Sequence, residues 1–182
     1  MARYFRPIPL SQRNDPTEPH LRHANSNCTM ACAANAVRYA TLGLKRPRAG
    51  DMRHRQSDQD GPTGLDDAKQ AANTYGVTLT LSAGWAAIKA RRAEGRCLIL
   101  QGDSGDLAGS CSEGQDVLHA VFLHPDDPPP DKSGYWLISD PWCNVAGTNT
   151  GKWRWLDRDD VYDYAKKLDF RFAYTRRQPR IA

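Results

Sequence analysis

No apolar run approaches the roughly 20 residues that a membrane-spanning helix needs, so no bilayer span is expected. The opening MARYFRPIPLSQ is basic but has neither an apolar core nor a small-residue cleavage site. No secretory signal is therefore expected, and synthesis is expected to be cytoplasmic. Cysteine is scarce, at 5, an odd number without regular spacing. A disulfide scaffold is not expected, and at least one thiol must be free. Blocks of like charge are also absent: 25 basic residues are interspersed with 21 acidic ones for a net charge of +4. This is poor evidence for a nucleic-acid partner, and none is expected. Internal repeats and interdomain linkers are lacking. What remains is 182 residues, 40% hydrophobic and 25% charged, a composition that can bury one core.

Residues 1–24 are rich in Pro, Arg and His with little periodicity and read as an extended N-terminal arm; residues 25–182 read as a single domain on which it packs. Asn25, Ser26 or Asn27 offers a cap for CTMACAANAVRYATLG, a helix that Gly43 ends. Residues 44–62 are polar and are expected to form a loop. Thr63 is expected to cap a second helix through Leu65, Ala68, Ala72 and Tyr75, with Gly76 as its stop. VTLTL at 77–81 predicts a strand, and Ser82 a third helix through Trp85 and Ile88. Strands are then expected at 97–101, 117–124, 135–140 and around Trp153–Trp155, with a loop at 102–116, a helix at 158–168 and a last strand at 169–175. VLHAVFLH is apolar on both faces, the mark of a buried central strand. Helices first and a mostly antiparallel sheet after them is an α+β order, an N-terminal helical half packed on a sheet.

Cys28 stands at the start of the first helix, where free amide hydrogens and the helix dipole favour an anion such as a thiolate. A neighbouring histidine would lower the thiol pKa further. Cys32, one turn on, reads as a core packer. His119 lies in the middle of the apolar strand. The simplest hairpin closure pairs His124 with Tyr135 and His119 with Asp140, which puts ring and carboxylate on one face. A one-residue slip would separate them. Cys28, His119 and Asp140 then form a nucleophile, a base and an orienting carboxylate. The oxyanion formed on attack needs two donors. The Cys28 N–H is one; Gln12 is the candidate for the other, with Asn25, Asn27 and Arg22 as alternatives.

The segments PLSQRNDP, SNCTMACAANAV, DVLHAVFLH and YWLISDPW resemble the blocks of the papain-like cysteine peptidases related to the bacteriocin-processing (double-glycine leader) peptidase family. That pattern has a glutamine in an SQRDN-like arm, a cysteine opening the first long helix, a histidine on a strand, and an aspartate followed by proline and often tryptophan. The resemblance spans roughly residues 8 to 175. It implies a papain-like fold, with Gln12 as oxyanion donor, Cys28 as nucleophile, His119 as general base and acid, and Asp140 as its orienter. It also implies a peptidase or amidohydrolase that needs no cofactor. The arm departs in reading Gln-Arg-Asn-Asp, and Thr29 and Met30 follow the cysteine where Gly or Asn-Val is frequent.

Expected partners are a peptide or protein substrate, with peptidoglycan cross-link peptides as a further class. A second reading keeps the fold as a structural subunit without turnover, such as a phage tail or virion component. Its basic end, with Arg176, Arg177 and Arg180, would dock on an acidic neighbour. A third is a zinc site drawn from Cys28, Cys32, Cys111, Cys143, His23 and His119, which the spacings disfavour. Trp85 and Trp136 read as core, Trp142 as a wall beside the His–Asp pair, and Trp153 and Trp155 as two residues on one strand face.

Overall fold

The structure is a computed structural model that describes residues 4–12, 27–55, 63–111, 113–114, 117–143 and 151–176. The helical half comprises α1 (Cys28–Ala40), α2 (Ala49–Arg53) and α3 (Leu65–Asn73); the remainder comprises β1 (Leu79–Ser82), α4 (Trp85–Ala93), β2 (Leu98–Asp103), β3 (Leu118–His124), β4 (Tyr135–Asp140), β5 (Lys152–Asp157), α5 (Arg158–Lys166) and β6 (Phe172–Thr175). The strands form one sheet in the order β1-β6-β2-β3-β4-β5, every neighbouring pair antiparallel.

β3 is central because both its faces are apolar. Ala120 and Phe122 join the core shared with α1, α2 and α3, and Val121 and Leu123 join the opposite core with Trp136, Val161, Tyr164 and Phe172. All four are fully buried, and a buried side chain of the Val, Leu or Phe class contributes about 1.5–3 kcal/mol. α1 is short-sided where it meets the sheet: alanines 31, 33, 34 and 36 have no exposed surface, which lets the helix lie close against β3.

The described part of the arm packs on the domain. Arg6 pairs with Asp126, and the Tyr4 N–H donates to the same carboxylate. The Trp153 indole donates to the Pro7 carbonyl over 3.1 Å, the Gly151 amide to Pro9 over 2.8 Å, and Leu10 N–H to Asn35 Oδ1 over 3.2 Å. Gly43 and Gly95, at φ 77° and 75°, take left-handed conformations just beyond the ends of α1 and α4. The space where a Cβ would stand is filled by Phe5 at the first and Tyr4 at the second, so these turns also seat the arm.

Several local expectations are corrected. The stretch 44–62 is not all loop: Ala49–Arg53 forms α2, whose Asp51 carboxylate accepts from the Arg48 N–H over 2.8 Å. Its charged text hid it, yet Met52 and Arg53 are buried. Gly64, not Thr63, precedes α3, with Asp67 Oδ2 accepting from the Gly64 N–H over 2.7 Å. Ser82 ends β1, and Gly84 at φ 97° leads into α4. β2 continues to Asp103, into the expected loop. One disulfide is present, Cys111–Cys143, and Cys28, Cys32 and Cys97 are free.

Candidate active site

Cys28 is the first residue of α1, and the first turn contains no acidic side chain, so a negative sulfur meets the positive end of the helix unopposed. It is 9% exposed. Its thiol lies 3.9 Å from Thr29 Oγ1, and the His119 side chain and the Ala120 backbone are near enough to act on it. Burial alone would raise the thiol pKa; the hydrogen bond and charge of His119 outweigh it, and the pKa falls below the usual thiol value.

The other free thiols behave oppositely. Cys32, fully buried and donating to Ala120 O over 3.5 Å, has its pKa raised well above normal by burial. Cys97, beside Thr175 Oγ1 at 3.6 Å, is pushed up to about 12 by burial.

His119 Nε2 meets Asp140 Oδ1 at 2.6 Å, and the two side chains are almost wholly enclosed. With Nε2 engaged, Nδ1 is the ring nitrogen left for the sulfur. Burial would depress the imidazole, but the Asp140 hydrogen bond and the Cys28 sulfur raise it to about 9. The raised histidine and the lowered thiol are shifts in the two directions that favour a thiolate facing an imidazolium. The Tyr164 hydroxyl, from α5, donates to the His119 carbonyl over 2.7 Å and fixes the strand behind the ring. The ring centres of Trp142 and His119 stand 6.1 Å apart with their planes at 83°, so the indole walls that side.

Asp140 is 2% exposed. Burial would raise its carboxyl; the His119 hydrogen bond and charge, the Ser110 hydroxyl and the Trp142 amide hold it down at about 2. The Trp142 N–H reaches Oδ1 over 2.8 Å, and the Ser110 hydroxyl donates to Oδ2. The pairing register differs from the expected one. His124 stands opposite Leu137 rather than Tyr135, two residues along, and the ladder stops at Phe122 before reaching His119. Because side chains alternate with period two, a two-residue slip leaves His119 and Asp140 on the same face, where they meet diagonally.

Gln12 is 1% exposed. Its N–H donates to Pro141 O over 2.9 Å, and Ser11 Oγ donates to the same carbonyl over 3.0 Å, which ties the arm to the Asp140–Pro141–Trp142 turn. Both polar atoms of its side chain lack a partner among the described residues, so the amide makes no bond to Cys28. Asn27 directs its Oδ1 to the buried Arg53 guanidinium and leaves its Nδ2 unpartnered. Asn25, Arg22 and His23 lie outside the described residues. The zinc set is broken up: Cys111 and Cys143 are bonded to each other, and among the described residues no three His, Cys, Asp or Glu side chains are placed so that they could hold a metal ion. Ser110 was missed because nothing in a Gly/Ser/Asp-rich loop marks one serine above its neighbours.

No family model matches the chain, and no curated protein matches it. Solved structures do. One, described as a C39-like peptidase from Bacillus anthracis, superposes with a TM-score of 0.57 at 10% identity, over 86% of this chain and 91% of its own. Another is a double-glycine motif protease from an AMS/PCAT transporter, solved with its leader peptide, at TM-score 0.52 and 15% identity over 95% and 94%. The fold is papain-like. Within the papain-like fold the helical half supplies Cys28, the sheet supplies His119 and Asp140, and the arm brings Gln12 alongside Pro141.

Proposed function

We propose that the protein is a cysteine peptidase or amidohydrolase acting through Cys28, His119 and Asp140, with Gln12 completing the oxyanion hole. The observation that carries the reading is the buried His119–Asp140 hydrogen bond with the Cys28 thiol at the start of α1 coupled to the same ring. It is joined by the opposite pKa shifts of thiol and imidazole, since a thiolate is the attacking species.

In the first step the Cys28 sulfur attacks the amide carbon, and the carbonyl oxygen takes up the negative charge. The Cys28 N–H at the helix start and the Gln12 amide are its donors; a buried amide with no partner of its own is free to serve. His119 gives its proton to the leaving amine as the carbon–nitrogen bond breaks, which leaves a thioester. Water then attacks the thioester, His119 accepts its proton, and acid and thiolate separate. Asp140 keeps Nε2 occupied and stabilises the imidazolium. The chemistry uses these side chains without a cofactor.

A peptide is the substrate class, in line with the leader peptide held by one structural neighbour. No observation favours peptidoglycan cross-links or a place in a phage particle. Alkylation by iodoacetamide tests the reading: Cys28 is expected to react at neutral pH much faster than free cysteine, and His119→Ala to remove that advantage. Reaction at the rate of free cysteine would rule the mechanism out.

A further inference from the structure

We propose that Ser110, held by the Cys111–Cys143 disulfide, is a positioning residue that sets the plane of the Asp140 carboxylate and through it the His119 ring. This rests on the peptidase reading above and extends it to a residue outside the Cys28–His119–Asp140 chain.

Asp140 Oδ1 already serves two donors, His119 Nε2 at 2.6 Å and the Trp142 N–H at 2.8 Å. Both act on one oxygen, so they do little to fix rotation of the carboxylate about its own axis. The Ser110 hydroxyl engages the other oxygen, Oδ2, and removes that freedom. Ser110 is itself 8% exposed, so its bond is shielded from water.

The loop that presents Ser110 is fixed from several directions. Its own N–H donates to Leu107 O over 3.1 Å, and Leu107 is fully buried. The next residue back is held at both ends: Gly109 O accepts from Arg154 on β5 over 2.9 Å, and Gly109 N–H donates to Glu113 over 2.9 Å. The next residue on, Cys111, is bonded to Cys143. Cys143 in turn closes the turn after Asp140, its N–H donating to Asp140 O over 3.0 Å. The disulfide thus joins the residue following Ser110 to the turn following Asp140. A covalent circuit runs from the aspartate through Cys143 and Cys111 to the serine that returns to it. Among the described residues Asp140 also faces His119 on β3 and lies within electrostatic reach of Cys32 on α1 and Tyr164 on α5.

A serine that only satisfies a buried carboxylate would change stability when removed. A positioning serine also changes the titration of His119, which reads out in the pH dependence of Cys28 alkylation. The test is the iodoacetamide rate at Cys28 against pH for wild type, Ser110→Ala, Ser110→Thr and Cys111→Ser/Cys143→Ser, each checked for folding by circular dichroism. Ser110→Ala is expected to weaken the imidazolium that holds the Cys28 thiolate, to move the acid limb of the profile to higher pH, and to lower the rate below that limb about tenfold for each pKa unit moved. Ser110→Thr keeps the hydroxyl and is expected to restore the wild-type profile. The double cysteine variant is expected to move the limb in the same direction. A folded Ser110→Ala protein with the wild-type profile overturns the proposal. If that variant does not fold, the double cysteine variant decides in the same way. Wild-type Cys28 that reacts no faster than free cysteine is a separate result and overturns the peptidase reading underneath.

Discussion

His119 Nε2 and Asp140 Oδ1 lie 2.6 Å apart on a diagonal of the β3–β4 pair, each almost fully enclosed by protein. A charged hydrogen bond in so dry a setting is stronger than its exposed equivalent. Asp140→Asn keeps the shape and removes the charge. It is expected to lower kcat about 10³–10⁴-fold by leaving the ring in the wrong protonation state. It should also bring the His119 pKa down from about 9, because the carboxylate is among the groups that raise it. Peptide hydrolysis and NMR titration of the ring together check both halves.

Activity is expected to follow a bell-shaped pH curve. In the proposed mechanism the active form is the thiolate–imidazolium pair. On the alkaline side His119 loses its proton near pH 9, and with it the acid that the leaving amine needs. On the acid side the pair takes up a proton below the thiol's ordinary value of 9.0, because Cys28 is lowered. The same shift bears on stability. A histidine raised from 6.5 to about 9 contributes fully below 6.5 and loses that contribution as pH rises through 9. Rates and melting temperatures measured between pH 5 and pH 10 follow both effects, where those bounds span about the titration range of histidine and thiol groups.

The three free thiols are expected to separate cleanly. Cys28→Ala should abolish turnover and leave the fold intact. Cys32→Ala should spare the chemistry and cost about 1 kcal/mol, because it opens a small void beside Ala120. Mass spectrometry after brief alkylation of native protein should find label on Cys28 and not on Cys32 or Cys97, whose thiols are buried and shifted upward. Label on Cys32 in folded protein would contradict the packing.

The arm is expected to loosen in acid. His124 is wholly buried, with Nε2 on Phe5 O at 2.9 Å and Nδ1 accepting from the Asp126 N–H at 3.3 Å, so the neutral ring donates through Nε2. Burial lowers its pKa from 6.5 to about 4. The unfolded chain therefore binds this proton first. The contribution to stability is complete above 6.5 and is lost as pH falls through 4. Thermal unfolding between those values should show the slope, and His124→Gln, which cannot charge, should flatten it.

Gly102 faces His119 across the β2–β3 ladder, and a Cβ there would run into the Tyr164 backbone. Gly102→Ala is expected to push α5 from the sheet at a cost of about 1–3 kcal/mol. Activity should fall with it, since Tyr164 holds the His119 carbonyl. A melting temperature lowered by about 2–4 °C per kcal/mol is the readout.

Much of this site was visible in the text because its signals are local. Cys28 opens a helix whose start is marked by polar residues and whose end is marked by Gly43. His119 interrupts an apolar strand, and Asp140 is followed by a proline that ends one. Parity carried His119 and Asp140 to one face even though the register was two residues off. α2 was hidden because Ala49–Arg53 has no apolar period and its Arg53 is buried against Asn27. The Cys111–Cys143 bond was hidden because pairing across 32 residues depends on where two loops end, which spacing does not encode.

The residue types alone determined an α+β chain with a cysteine at a helix start and an imidazole and a carboxylate on strands, since periodicity, caps and breakers act over a few neighbours. Only the tertiary structure decided that the Ser110 hydroxyl reaches Asp140, that Gln12 arrives buried beside Pro141, and that the pKa of one free thiol is lowered while the other two are raised. Those outcomes depend on burial and on contacts between segments distant in the chain, which no local pattern records.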